Sequence, residues 1–343
     1  MKTVFLPRMI FQRLVVVAFL LSALAGHAAD SRSKPKRPAA ETTATYKGAI
    51  IMDAATGKIL FEDRADIVSP PASMTKLMSF AVVYDALTQG SIRLDTPVRI
   101  TKEDMGAGGT QVYLDPRETI PVEDLIYAMM VQSANDAANA LARAAAGSRS
   151  AFVELMNAKA RELGMTNTTF RTPHGLPPSN RKLADGDLTS PRDFALLSRY
   201  LIQKTNALKY TVIEKRDFTS PLRKEPFKMD NHNNLLGKVA GVDGLKTGFT
   251  NGAGFCIAAT ALRQGRRVIV VTMGSTTAQE RDLRVTELLE RGFAALPKGP
   301  AAPPVITDAL LKPATQAAPV IPTTPPKPAK DEEPAVKFTI PKR

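Results

Sequence analysis

Gly254-Phe-Cys-Ile-Ala-Ala-Thr-Ala-Leu262 and Arg267-Val-Ile-Val-Val-Thr-Met273 are two apolar runs of β character, joined by Arg263-Gln-Gly265-Arg. That is the pattern of two neighbouring strands and their turn. Downstream, a helical pattern runs from about Ala278 to Leu296. Far upstream, Tyr46–Asp53 and Lys58–Glu62 flank the turn Asp53-Ala-Ala-Thr-Gly57 and predict a hairpin. Between these β-rich ends the period changes. Pro70-Pro71-Ala72 leads into Met74, Leu77, Met78, Ala81 and Val82, the spacing of a strongly amphipathic helix closed by Gly90. Further helices are expected at Val122–Val131, at Asp136–Ala146, at Arg149–Leu163 before Gly164, and from Ser190-Pro191 to about Gln203. Strands at both ends with helices between predict a mixed α/β (α+β) fold. Its antiparallel sheet is assembled from the two ends of the chain, flanked by helices, with an inserted helical region and a cleft between the two parts.

The ends read differently from this body. Lys2, Arg8 and Arg13 precede the apolar run Leu14–Ala25, and Gly26-His27-Ala28 supplies small residues for cleavage, so residues 1–29 are expected to be a signal peptide. The alternative, a membrane anchor, needs roughly 20 apolar residues, more than this run holds. Residues 30–44 form a polar leader, and 297–343 form a Pro-rich tail expected to be disordered, leaving 45–296 as the globular domain. The net charge of +13 is concentrated in the same ends, and residues 41–295 carry only +4. Such a distribution suits weak contact with an anionic envelope polymer or membrane surface through basic tails, and gives no reason to expect nucleic acid. Cys256 is the single cysteine, so no internal disulfide is possible, and its neighbours Phe255 and Ile257 predict a buried thiol.

Several catalytic signatures are absent: G-x-S-x-G, H-E-x-x-H, C-x-x-C and a phosphate loop. His174 and His232 are the only histidines beyond the leader. The pattern S-x-x-K occurs four times, but only Ser73–Lys76 stands at the start of a predicted helix. There, residues i and i+3 share a face, and the helix N-terminus favours negative charge developing on a bound oxygen. Read structurally, Ser73 is a cap and Lys76 a solvated side chain. Ser133-Ala134-Asn135 lies between two predicted helices, where it reads either as a cap for the second or as a proton relay with a carbonyl-holding amide. Lys246-Thr247-Gly248 reads as a turn, or as a strand whose glycines admit an extended peptide along its edge.

S-x-x-K, S-x-N and K-T-G in that order are the established signature of penicillin-binding proteins and class A β-lactamases. The chain resembles more closely the low-molecular-mass penicillin-binding proteins of the serine-type D-alanyl-D-alanine carboxypeptidase family. Matching stretches are Pro70-Pro-Ala-Ser-Met-Thr-Lys76, Ser133-Ala-Asn-Asp136, Thr172-Pro-His-Gly-Leu176, Asn231-His-Asn-Asn-Leu-Leu236, Val242-Asp-Gly-Leu-Lys-Thr-Gly248 and Gly252-Ala-Gly-Phe255. The resemblance implies a β-lactamase/DD-peptidase-like fold, export to the periplasm or cell envelope, peptidoglycan stem peptides as substrates, β-lactam antibiotics as covalent inhibitors, and no cofactor or metal. It implies Ser73 as nucleophile, Lys76 as base and Ser133 as relay. Asn135, Lys246, Thr247, Gly248 and Phe249 then bind substrate, Ser73 and Phe249 N–H groups form the oxyanion hole, and His174 and Asp193 support the site.

Departures from the family pattern are alanine for glycine at position 134, histidine for arginine at 232, and a Pro-rich tail where many relatives have a β-rich domain and a terminal amphipathic helix. Other readings of the same motifs are a DD-endopeptidase acting on cross-links, a β-lactamase, and a non-catalytic wall-binding protein.

Overall fold

The computed structural model describes residues 45–296 except Arg181. The expected signal peptide, polar leader and Pro-rich tail lie outside the described residues. In chain order the strands are β1 (Gly48–Asp53), β2 (Ile59–Asp63), β3 (Pro97–Arg99), β4 (Thr119–Pro121), β5 (Lys215–Phe218), β6 (Phe227–Asp230), β7 (Val242–Thr250), β8 (Gly254–Arg263) and β9 (Arg266–Ser275). The helices are α1 (Lys76–Thr88), α2 (Lys102–Met105), α3 (Val122–Tyr127), α4 (Asn135–Ala146), α5 (Arg149–Glu162), α6 (Pro191–Lys204), α7 (Ala207–Thr211) and α8 (Ala278–Ala295).

The main sheet has the order β2-β1-β9-β8-β7, every neighbour antiparallel. The N- and C-terminal parts of the described residues therefore do meet in one sheet, along the β1–β9 ladder from Gly48↔Met273 to Asp53↔Val268. Because side chains alternate across a strand, continuous apolar runs such as Val268–Val271 must bury both faces. One face sets Ile50, Met52, Ala258, Ile269 and Val271 against the helical region, including Leu77 and Phe80 of α1. The other sets Ala49, Ile51, Ile257, Val268 and Val270 against Val285, Leu288 and Leu289 of α8. Cys256 is a buried free thiol, as its neighbours predicted.

Helix α1 is not the strongly amphipathic element its spacing suggested. Only Asp85, Leu87 and Thr88 escape full burial, because the helix runs between the sheet and the helices around it. Two short antiparallel pairs, β3–β4 and β5–β6, are too brief for apolar alternation to reveal them: β5 reads Lys-Arg-Asp-Phe and β6 reads Phe-Lys-Met-Asp. The helix expected over Val122–Val131 ends its α-helical part at Tyr127 and widens into a π turn, Ala128–Gln132. Such turns cost regular hydrogen bonding and often stand beside functional residues. No helix among the described residues is long and apolar enough to cross a membrane.

Candidate active site

Ser73 sits in a 3-10 turn, Ala72–Thr75, immediately ahead of α1 rather than inside it. Ala72 has φ 49°, a left-handed conformation that L-residues avoid. It is held on one side by Gly175, where any Cβ would stand 1.9 Å from the Ala72 carbonyl oxygen. On the other side lies β7, the edge strand of the sheet. A Cβ at Gly248 would fall 2.5 Å from the Pro71 carbonyl oxygen and 3.1 Å from the Ser73 amide nitrogen. The glycine of Lys246-Thr-Gly thus lets the sheet edge close directly on the turn that holds Ser73.

Lys76, the first residue of α1, is fully buried. Its Nζ donates to Ser73 Oγ at 3.0 Å, to Asn135 Oδ1 at 2.7 Å and to the His174 carbonyl at 2.9 Å. Burial drives its pKa well below 10.5, and the neighbouring charge of Lys246 adds to the effect, while Asp187 and Asp136 oppose it. Lys76 is therefore no solvated helix side chain.

Asn135 is the first residue of α4, and its amide bridges the cleft by donating from Nδ2 to the Gly108 carbonyl at 2.8 Å. Its backbone N–H reaches the Thr110 carbonyl at 2.8 Å. Ser133 does not cap that helix. The cap position is Ala134, without a side-chain bond, and buried Ser133 is held at φ 66° where the π turn ends. A non-glycine residue in that conformation is a strained feature of the kind retained at functional sites.

Lys246 is also buried, with Nζ donating to the Thr247 carbonyl at 3.1 Å. Burial, with a contribution from Arg281, pushes its pKa down to about 7. Thr247 is buried beside it, and Phe249 is half exposed, its ring stacked on Phe255 with centroids 4.2 Å apart.

The two supporting residues divide. His174 borders the site through its main chain, whose carbonyl anchors Lys76. Its imidazole Nδ1 accepts the Leu176 N–H, and burial with the nearby Lys76 charge lowers its pKa to about 3, so the ring stays neutral. Asp193 is not brought to the site. Its carboxylate accepts from the Asn167 N–H and the Thr168 hydroxyl, both at 2.7 Å, and so fastens a loop to the start of α6. The carboxylate that does reach the turn holding Ser73 is Asp187, which the sequence did not single out. It is buried and accepts from Thr75 Oγ1 at 3.0 Å, Thr172 Oγ1 at 2.9 Å, and the N–H groups of Arg171 and Thr172. An aspartate in a polar loop reads as a turn residue, and only the fold returns it to Thr75. His232 is exposed at the surface, yet partial enclosure followed by the charges of Lys246 and Lys76 pushes its ring down to about 4.

The arrangement gathers a serine hydroxyl, a buried amine in contact with it, a second buried amine and an open strand edge. A family model described as D-alanyl-D-alanine carboxypeptidase matches residues 33–277. The chain belongs to this family. Among its relatives, carboxypeptidase DacC of Escherichia coli is 39% identical over 251 residues, covering 71% of this chain and 60% of DacC. DacF of Bacillus subtilis is 34% identical over 248 residues, covering 72% of this chain and 62% of DacF. The match thus spans about three fifths of the length of these two carboxypeptidases. Among solved structures, ampicillin-bound penicillin-binding protein D2 of Listeria monocytogenes superposes with a TM-score of 0.64 at 33% identity, covering 73% of this chain and 97% of that one. The β-lactamase/DD-peptidase-like fold, an antiparallel sheet with flanking helices, is that of the family.

Proposed function

We propose that the chain is an exported serine D-Ala-D-Ala carboxypeptidase that removes the terminal D-alanine from peptidoglycan pentapeptides. The observation that carries this reading is the buried Lys76 amine, 3.0 Å from the Ser73 hydroxyl. A lysine near its ordinary pKa is a poor base at neutral pH, and here burial and Lys246 both favour the free amine. Membership of the family supplies the substrate class.

The pentapeptide lies along the free edge of β7, with its terminal carboxylate at Lys246 and Thr247 and its backbone held by the Asn135 amide. Lys76 takes the proton as Ser73 Oγ bonds to the scissile carbonyl carbon, and the N–H groups of Ser73 and Phe249 stabilise the oxyanion. Ser133 relays the proton that Lys76 took to the amine nitrogen as the C–N bond breaks and D-alanine leaves, which returns Lys76 to the free amine. Water then attacks the ester, its proton returns through Lys76 to Ser73 Oγ, and the shortened peptide departs as the acid. A β-lactam reacts at Ser73 by the same first step, its ring C–N bond breaking, and remains attached as an inhibitor. The basic leader and apolar run of residues 1–29 support export to the periplasm or envelope.

Mass spectrometry of residues 30–343 and its Ser73→Ala variant, each incubated with a pentapeptide muropeptide and with its cross-linked dimer, tests the reading. Loss of one alanine from the pentapeptide, abolished in the variant, is expected. Cleavage of the dimer alone makes the protein an endopeptidase, and no change in either substrate leaves a wall-binding protein.

A further inference from the structure

Tyr113 takes no part in the chemistry above, yet the fold displays it under strain. Its side chain is 68% exposed, and its backbone is left-handed, with φ 56°. An aromatic residue in that region is an outlier that persists only where its surroundings enforce it. Here they do. The buried Asp136 carboxylate accepts the N–H groups on both sides of Tyr113, from Val112 at 3.3 Å and Leu114 at 3.0 Å. Arg223 donates to the carbonyls of Val112 at 2.8 Å and Tyr113 at 3.1 Å, and is itself fixed by the buried Glu118 at 2.8 Å.

A second aromatic ring backs the first. Phe227, opening β6, meets Tyr113 edge-on with centroids 5.9 Å apart. Both elements are tied to the catalytic cleft. The Tyr113 loop accepts the Asn135 N–H at Thr110, and the far end of β6 donates from the Asp230 N–H to Gln132, the residue before Ser133. Three residues of chain span at most about 11 Å, so Tyr113 lies within that reach of Thr110, the partner of Asn135, and an extended pentapeptide, at about 17 Å, is long enough to cover it.

The surroundings select the occupant. Exposed Arg117 follows Tyr113 by four residues and exposed Lys228 follows Phe227, so charge flanks both rings along the chain, with Leu222 the one other large apolar residue exposed in the segment before Phe227, and a stable protein interface needs about 800 Å² per partner. A small flat ligand fits better. The C–H face of a pyranose presents weakly positive hydrogens to the negative face of an aromatic ring, and the phenol hydroxyl can bond a sugar substituent at the rim.

We propose that Tyr113, backed by Phe227, is a sugar-stacking subsite that holds the amino-sugar ring from which the stem peptide hangs. This rests on the peptidoglycan reading of the site, and it makes glycan-linked peptides preferred over free ones. The test measures binding in the Ser73→Ala protein, where no turnover intervenes, by titrating a disaccharide pentapeptide and the same pentapeptide without sugar. The sugar-linked ligand binds roughly three- to tenfold more tightly, the scale of one aromatic contact. Adding Tyr113→Ala removes that preference and leaves the free peptide unchanged, while Tyr113→Phe keeps it. Equal affinities for the two ligands, or an equal loss on both with Tyr113→Ala, overturn the subsite. A retained sugar preference, alongside failure of the Ser73 protein to cleave either ligand, overturns hydrolysis and upholds the subsite.

Discussion

Lys76 and Lys246 are each removed from water and each held far enough from its ordinary charge state to matter at neutral pH. The cost to the fold has a definite sign. In the unfolded chain Lys246 keeps its proton up to its ordinary pKa of 10.5, and in the folded protein it releases it at about 7. Between those values the unfolded state binds more protons, so stability rises with pH across the window and is lost as pH falls toward 7. Lys246→Met, which keeps the length and removes the buried charge, is expected to raise Tm at pH 7, with the gain narrowing as pH approaches 10.5. Calorimetry across that range checks it. On the proposed function the same variant loses the group that holds the substrate carboxylate, and its acylation by peptide is expected to fall by at least about tenfold. A pair of buried amines so unfavourable for folding is the usual mark of a site. The sequence held both lysines in recognisable motifs, but only their burial turns two ordinary cations into candidates for proton transfer.

Among the elements, β7 and the 3-10 turn before α1 form the decisive junction. Both were recognisable separately, one as Lys246-Thr-Gly248 and the other as Ser73–Lys76 ahead of a helix. Their contact was not, since nothing in Gly248 itself says that Pro71 and Ser73 lie against it. Gly248→Ala places a Cβ 2.5 Å from a backbone oxygen, so strand and turn must separate. Displacements of about 1 Å at a reacting centre can cost on the order of a hundredfold in rate. We expect the variant to stay folded by circular dichroism while its β-lactam acylation rate drops by at least tenfold. The π turn at Ala128–Gln132 was hidden for a different reason. Its residues, Ala-Met-Met-Val-Gln, suit an α-helix, and the widened turn follows from delivering Ser133 in a left-handed conformation. The amphipathic reading of α1 failed because a helix flanked by sheet and helices buries polar positions such as Ser79 as readily as apolar ones.

For the whole molecule, the described residues hold the five-stranded sheet, two apolar layers and the cluster around Ser73 within 45–296. A fragment of those residues is expected to unfold cooperatively with a Tm within a few degrees of the full chain's. It should also keep its β-lactam acylation rate within about twofold, measured by calorimetry and stopped-flow trapping. The sequence by itself determined the fold class, the union of the two chain ends in one sheet and three of the motifs around Ser73, because period, turns and motif order are local properties. It did not determine that Asp187 rather than Asp193 reaches the turn that holds Ser73, that His174 meets Lys76 through its carbonyl, or that Tyr113 is held outward by buried charge. Those depend on which distant groups share the interior. There, desolvation and hydrogen-bond geometry, not residue type, decide what a side chain does.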